Sequence, residues 1–300
     1  MASPTTPTTT SEFVYENAFS RNLGWVTVAE QARLRGARVA IAGMGGVGGE
    51  HLLTLARLGI GAFRIADFDH FEVHNFNRQA GAFMSRIGQS KVDVMAEMAQ
   101  DINPEAHIDR FPDGVTPDNV DAFLRDVDIY VDGIDFFAVD ARRMVFAACR
   151  AKGIPAVTAA PLGMGTALLY FSPKGMSFED YFKLEGQTRQ EQYARFIAGL
   201  SPAMLQFGYL VAPEAVSFHE RRGPSTVMAC ALCAGVTGTA VLQLLLGRKP
   251  PRAAPWAMHF DAYRQKLRFT WRPFGNAHPM QRLLMRMIRP KLRGGTAEEA

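Results

Sequence analysis

The stretch Gly43-Met44-Gly45-Gly46-Val47-Gly48 constrains the fold of this chain more than any other. It follows a short apolar run, residues 37–43 (ARVAIAG), and it precedes a helical stretch from Glu50 to Leu58 that Gly59 and Gly61 stop. An uninterrupted apolar run ending in glycine reads as a buried parallel strand. The spacing G-x-G-x-x-G between a strand and a helix lets the backbone approach a phosphate. The helix N-terminus then supplies N–H donors and the positive end of a dipole. Gly43, Gly45, Gly46 and Gly48 are therefore candidate nucleotide-binding residues.

The pattern continues beyond this unit. Residues 62–67 (AFRIAD), 107–111, 127–134 (VDIYVDGI), 154–160 (IPAVTAA) and 165–171 (GTALLYF) read as strands. Helices are expected over Ser90–Ile102, 118–126 and Val139–Lys152. Strands alternating with helices predict an α/β, Rossmann-like fold with a mostly parallel sheet covered on both faces. Residues 177–222 are polar and irregular, with one helical piece near Arg189–Ala198, and read as a crossover and substrate loop over the sheet. A helix over Ala234–Leu246 and a hairpin of 256–261 with 266–271 follow, which adds antiparallel C-terminal strands. The expected organisation is a flexible tail 1–18, a domain 19–272, and a basic helix and tail 273–300.

Composition excludes other classes. With 48% apolar and 21% charged residues the chain is an ordinary globular protein rather than a disordered one. No uninterrupted apolar run approaches the ~20 residues of a membrane span. Residues 1–11 lack the charge and apolar core of a signal peptide. Three cysteines, Cys149, Cys230 and Cys233, are too few for a disulfide scaffold and suit a reducing cytoplasm. The net charge of +4 is uneven: Ala262 to Ala297 holds nine Lys/Arg and no Asp/Glu, which leaves −5 for the remainder.

Chemistry-bearing residues fall where strands end. Asp67 closes the second strand, about 20 residues after the glycines, where a carboxylate accepts from ribose hydroxyls. To this point a nicotinamide enzyme and an ATP enzyme fit equally. Asp69, Asn75-Phe76-Asn77-Arg78-Gln79, Lys91 after Gly88-Gln89-Ser90, and Asp132 and Asp135 follow. A hydride-transfer site has little use for Arg and Lys at the phosphates facing an Asp. An adenylation site needs that set: cations neutralise the triphosphate as pyrophosphate leaves, and an Asp holds Mg on phosphate oxygens.

The ordered set GxGGxG, DxD, NxNRQ, GxSK and DxxD resembles the ThiF/MoeB/HesA family, bacterial relatives of ubiquitin-activating enzymes, over about Phe19 to Leu246. The resemblance implies an ATP-dependent adenylyltransferase with Mg, in which Gly46, Asp67, Asp69, Asn75, Arg78 and Lys91 contact ATP and Asp135 holds the metal. Ser20-Arg21-Asn22 is similar to the family's N-terminal Arg motif, which implies a homodimer with Arg21 reaching the partner's ATP. A carboxylate attacks the α-phosphate, pyrophosphate leaves, and a thiol, sulfide or amine captures the acyl group. The implied substrate is the C-terminus of a small carrier protein or peptide. Residues 114–120 and 149–158 also look similar to tRNA threonylcarbamoyladenosine dehydratases, which makes tRNA an alternative substrate.

Three departures stand out. Phe136 replaces the family's Asn after the Mg-binding Asp, and the following Arg matches Arg142 or Arg143 only in a shifted register; either Phe136 and Phe137 pack under the nucleotide and leave Asp135 active, or the chain is an inactive nucleotide-binding module. The four thiolates of the family's zinc site are missing, so no zinc is expected. Residues 177–222 hold no Cys, which leaves Cys230 as the candidate for acyl capture. In the basic end, Arg282, Arg286, Arg289 and Arg293 form one helical stripe, with Leu283, Leu284, Met287 and Ile288 largely on another face; RNA phosphates, an anionic membrane, a partner protein or a helix packed on its own domain would each fit it.

Overall fold

A computed structural model describes residues 12–212, 215 and 223–293, the last four as backbone only. The elements in order are α1 (Tyr15–Ala18), α2 (Val28–Gly36), β1 (Arg38–Ala42), α3 (Gly46–Arg57), β2 (Ala62–Ala66), α4 (Lys91–Ile102), β3 (His107–Phe111), α5 (Val120–Phe123), β4 (Ile129–Asp132) and α6 (Val139–Lys152). Then come β5 (Ala156–Leu162), β6 (Gly165–Phe171), α7 (Phe178–Phe182), α8 (Arg189–Leu200), α9 (Val227–Leu245), β7 (Trp256–Asp261), β8 (Lys266–Trp271) and α10 (Pro279–Arg293). Among the described residues eight strands form one sheet, ordered β3-β2-β1-β4-β5-β6-β7-β8. The first five in that order run parallel, and β5 to β8 pair antiparallel. This is the α/β Rossmann-like architecture expected, with antiparallel strands at one end.

Alternation along the strands builds two cores. Val39, Ile41, Phe63, Ile65, Ile129 and Val131 face the layer of α2, α3, α4 and α9. Ala40, Ala42, Ala66 and Tyr130 face α5, α6, α7 and α8. Small residues on that second face let aromatic side chains pack close, among them Phe146 stacked on Phe178 at 4.4 Å between ring centroids. From β1 the chain goes to β2 on one side; after β3 it crosses back to β4 on the other. The carboxyl ends of β1 and β4 therefore open the crevice where ligands of such sheets bind.

Four expectations need correction. The tail does not extend to residue 18: Tyr15 is buried and its hydroxyl donates to Gly59 O at 2.5 Å, while Phe19 packs on its ring. The segment from Ser177 is not mainly loop, because Phe178, Tyr181, Phe182, Tyr193 and Phe196 turn α7 and α8 into part of the second core. Residues 213–214 and 216–222 of that segment lie outside the described residues. α9 begins seven residues before the expected Ala234, at the Thr226 cap, whose hydroxyl accepts from Ala229 N at 3.4 Å. The full helix is long and apolar enough, by length and composition alone, to cross a membrane, which reading uninterrupted apolar runs did not show. Here it packs along α3 and covers β5 and β6.

The C-terminal helix is integral to the domain. Leu284, Met285 and Ile288 of α10 bury against Ala194 and Ala198 of α8. Leu283 and Met287, expected with the apolar face, are instead exposed. Arg289 leaves the basic stripe for Glu191, donating to both carboxylate oxygens at 2.7 and 2.8 Å. Arg282 and Arg286 stay exposed, and the Arg293 side chain lies outside the described residues.

Helix ends are capped locally. Thr27 and Glu30 form a capping box on α2, and α6 stops at Gly153 with φ 72°. Glu30 also accepts from Arg248, just past α9, at 2.8 and 3.0 Å, and the Arg248 bond with the Thr27 N–H holds its carboxyl down at about 2. The stabilisation from this pair is present above the ordinary carboxylate range and is lost as pH falls toward about 2. In Arg248→Ala, carboxyl NMR should show Glu30 titrating above about 2, part of the way to the ordinary 4.5 because the Thr27 bonds remain; an unchanged value would contradict the pairing.

Candidate active site

Three backbone segments meet at the crevice with no room for side chains. Gly43 adopts φ +88°, and a Cβ there would lie 2.1 Å from Gly133 O. A Cβ on Gly48 would lie 1.7 Å from Gly43 O. The ends of β1 and β4 and the first turn of α3 thus touch backbone to backbone. Gly45 is the N-cap of α3 and offers no side chain to its first turn. The opening N–H groups of α3 are left to an outside acceptor, and the helix dipole favours an anion there.

The candidate side chains surround this cradle. Asp67 accepts from Met44 N at 2.5 Å and Asp69 N at 2.8 Å, so it ties the glycine loop to the end of β2. Burial pushes its carboxyl up, against the lowering effect of those two bonds and of Lys91. Lys91 opens α4 almost fully buried, and its Nζ donates to Asp69 at 3.0 Å. Asn75 is buried and accepts from Glu72 N at 2.9 Å, which shapes the turn preceding Arg78. The Arg78 guanidinium donates to His74 O at 3.1 Å and Asn77 Oδ1 at 2.8 Å, and its Cγ lies 3.5 Å from where Gly46 would carry a Cβ. The fold brings Gly46, Asp67, Asp69, Asn75, Arg78 and Lys91 to one edge.

The corner after β4 shows a residue that sequence reasoning left undecided. Arg142, not Arg143, turns inward. Its Nε donates to buried Asp132 at 2.7 Å, one nitrogen donates to Asp135 O at 3.2 Å and another to Ile134 O. Thr158 adds a bond to Asp132 at 2.8 Å. Arg143 instead meets Glu179 at 2.8 Å. The corner so held presents Asp135 exposed, with one oxygen accepting from Phe137 N at 2.9 Å. Phe136 lies on Phe196 and Phe137 on Tyr193, with centroids 5.2 and 5.3 Å apart, so the aromatic pair seats α8 and leaves the Asp135 carboxylate in the open. Sequence spacing carried no signal for this choice; the burial of Asp132 makes it.

Two candidates stand apart. Arg21 is exposed at the far end of α3 from the cradle: its neighbour Asn22 donates to Leu58 O, beyond a helix about 18 Å long. Cys230 is buried, its Sγ 3.1 Å from a Cβ on Gly46, and burial raises its thiol against the lowering effects of Ser225 and Arg78. A buried, protonated thiol is a poor nucleophile. Cys233 lies 3.1 Å from Thr166 Oγ1.

The donor set suits a magnesium nucleotide. The cradle presents backbone N–H groups that could hold phosphate, Arg78 and Lys91 are cations near it, and Asp135 offers an exposed carboxylate that could serve as a hard oxygen ligand. Among the described residues no three His, Cys, Asp or Glu side chains gather to hold a metal. An ion bound through one carboxylate and substrate phosphates is how Mg is ordinarily held.

A parallel sheet with a phosphate cradle at its switch point defines a nucleotide-binding α/β domain. The ThiF family model matches residues 19–282, and the chain belongs to that family. It is 41% identical over 128 residues to the tRNA threonylcarbamoyladenosine dehydratase of Escherichia coli strain K12, a match covering 42% of this chain and 47% of that protein. The chain spans about half the length of the curated relatives it matches. The crystal structure of the E. coli dehydratase TcdA in complex with ATP superposes with TM-score 0.57 at 25% identity, covering 77% of this chain and 95% of that one. E. coli MccB with ATP, at 19% identity, TM-score 0.63 and coverage of 89% and 72%, shares the fold.

The buried corner predicts a sharp contrast between neighbours. Arg142→Met leaves the Asp132 charge unpaired and should cost about 3–5 kcal/mol in chemical denaturation. Arg143→Met, which breaks a partly exposed pair, should cost less than about 1 kcal/mol. Equal losses would show that the corner is not held as described.

Proposed function

We propose that this chain is an ATP-dependent adenylyltransferase that forms an acyl-adenylate on a substrate carboxylate. The observation that supports this is a side-chain-free cradle with Arg78 packed beside Gly46, Lys91 bonded to Asp69 next to the Asp67 that binds the cradle loop, and Asp135 two residues beyond Gly133. Membership of the ThiF family sets aside the nicotinamide reading. The cradle N–H groups and Arg78 hold phosphate oxygens, Asp67 faces the ribose, and Lys91, oriented by Asp69, offsets charge as the bond to pyrophosphate breaks. Asp135 would hold Mg, whose chemistry is neutralisation of the phosphates. The carboxylate oxygen that attacks becomes the bridging oxygen of the adenylate, so no protein nucleophile is consumed. Positioning and charge neutralisation supply the catalysis.

The substrate read from the family is the C-terminal carboxylate of a small carrier protein or peptide. A second reading, a tRNA threonylcarbamoyladenosine dehydratase, is favoured by the 41% identity over 128 residues to a member of that group. The exposed Arg282 and Arg286 of α10 would then face RNA phosphates. Pyrophosphate exchange into ATP separates the two: exchange driven by a small protein ending in glycine supports the first, and exchange driven only by modified tRNA supports the second. Asp135→Ala and Lys91→Ala should each abolish exchange with the melting transition retained; normal exchange in either would refute its assignment.

Arg21 completes the site from a second copy in this reading. It lies at the wrong end of α3 to serve its own cradle; Leu23 and Trp25 beside it in sequence, and Phe76, Phe83 and Met84 on the segment around Arg78, expose apolar surface. Arg21→Ala and Asp135→Ala should each be inactive alone, and mixing them should restore part of the wild-type exchange rate through mixed dimers. No recovery on mixing would place Arg21 outside the site.

A further inference from the structure

Asn77 sits between the nucleotide-binding arginine and the return of the crossover segment. Its Oδ1 accepts from Arg78 at 2.8 Å, and its Nδ2 donates to Ser225 O at 3.1 Å. Ser225 immediately precedes the Thr226 cap of α9, and the Thr226 hydroxyl donates to Gly163 O in the β5–β6 turn at 2.9 Å. One turn into α9, Cys230 packs beneath Gly46, beside the Arg78 stem. α9 then runs parallel to α3, since Gly238 meets Thr54 eight residues further along both helices. The start of α9 and the phosphate cradle are thus one packed unit, and the Asn77 amide is the polar link across its top.

Resting on the adenylation reading, we infer that Asn77 is a positioning residue. It acts through Arg78 and couples the phosphate site to the segment that enters α9. An arginine on an exposed loop has many rotamers, and fixing its fork in advance lowers the entropy lost when it meets phosphate. The Asn77 oxygen and His74 O both accept from one guanidinium nitrogen, Nη1, and so hold one arm of the fork. Because the same amide holds Ser225 O, a shift of Arg78 toward phosphate strains or relaxes the bond that anchors the α9 cap. The carbonyl at Ser225 belongs to the backbone, so the link does not depend on which side chain stands there. The other end of the crossover segment is secured to the same turn separately: Tyr209 hydroxyl accepts from Met164 N at 2.9 Å and donates to buried Asp261 at 2.6 Å. Asn77 alone among these tethers touches a residue of the phosphate site.

The test is a double-mutant cycle read by calorimetry with Mg-ATP on the full chain, paired with amide hydrogen exchange. Asn77→Ala should weaken ATP binding about tenfold, the scale of a lost hydrogen bond to a charged group, and Asn77→Gln should recover part of it. Asn77→Ala combined with Arg78→Ala should bind no more weakly than Arg78→Ala alone, because the first residue works through the second. Without nucleotide, Asn77→Ala should speed exchange of the Ala229 and Cys230 amides. Full additivity of the two substitutions, unchanged ATP affinity in Asn77→Ala, or unchanged exchange at the start of α9 would each overturn the inference. A wild-type chain that fails to bind ATP would overturn the adenylation reading instead, and the nucleotide-free exchange would still decide whether the tether exists.

Discussion

The contact on which the site depends is the meeting of three backbones at Gly43, Gly48 and Gly133. A methyl group at Gly43 or Gly48 would sit about 2 Å from a carbonyl oxygen, well inside van der Waals contact. Because these positions carry no side chain, α3 can start directly at the end of β1 and lie against the end of β4. The helix N-terminus is thereby aimed into the crevice at the point where strand order reverses. Everything that follows, from Asp67 bonding Met44 N to Cys230 filling the space under Gly46, is arranged around that approach.

The electrostatics divide between buried pairs that build and exposed groups that act. Asp132 and Arg142 are both buried, and their pairing, with carbonyl contacts to residues 134 and 135, sets the corner that carries Asp135. Buried charges of this kind fix geometry more dependably than they add stability. Lys91 is intermediate: its stem is buried and its ammonium meets an Asp69 that remains half exposed, so the charge is oriented without being hidden. Asp135 and Arg78 keep access to solvent, which the proposed exchange of water for phosphate or metal requires.

Charge elsewhere follows the same division. The basic C-terminal segment looked like a separate object in sequence, yet Arg289 is spent on Glu191, and Leu284, Met285 and Ile288 hold α10 to α8. What remains for a partner is a smaller surface of Arg282 and Arg286 with the exposed Met280, Leu283 and Met287.

Sequence by itself determined the α/β class, the glycine cradle and the order of the candidate site residues, because those rest on local rules: glycine spacing, apolar runs and carboxylates at strand ends. The β1, β2, β4, β5 and β6 runs were legible for the same reason. Other features depended on distant partners. Tyr15 joined the domain only because Gly59 O and Phe19 receive it. The start of α9 escaped detection because a helix apolar on all sides has no period to read. The choice between Arg142 and Arg143 could not be made from spacing, since the two side chains point in directions about 100° apart on a helix and only the buried Asp132 decides which one turns inward. Tertiary structure made those decisions because burial and pairing are set by residues far apart in the chain.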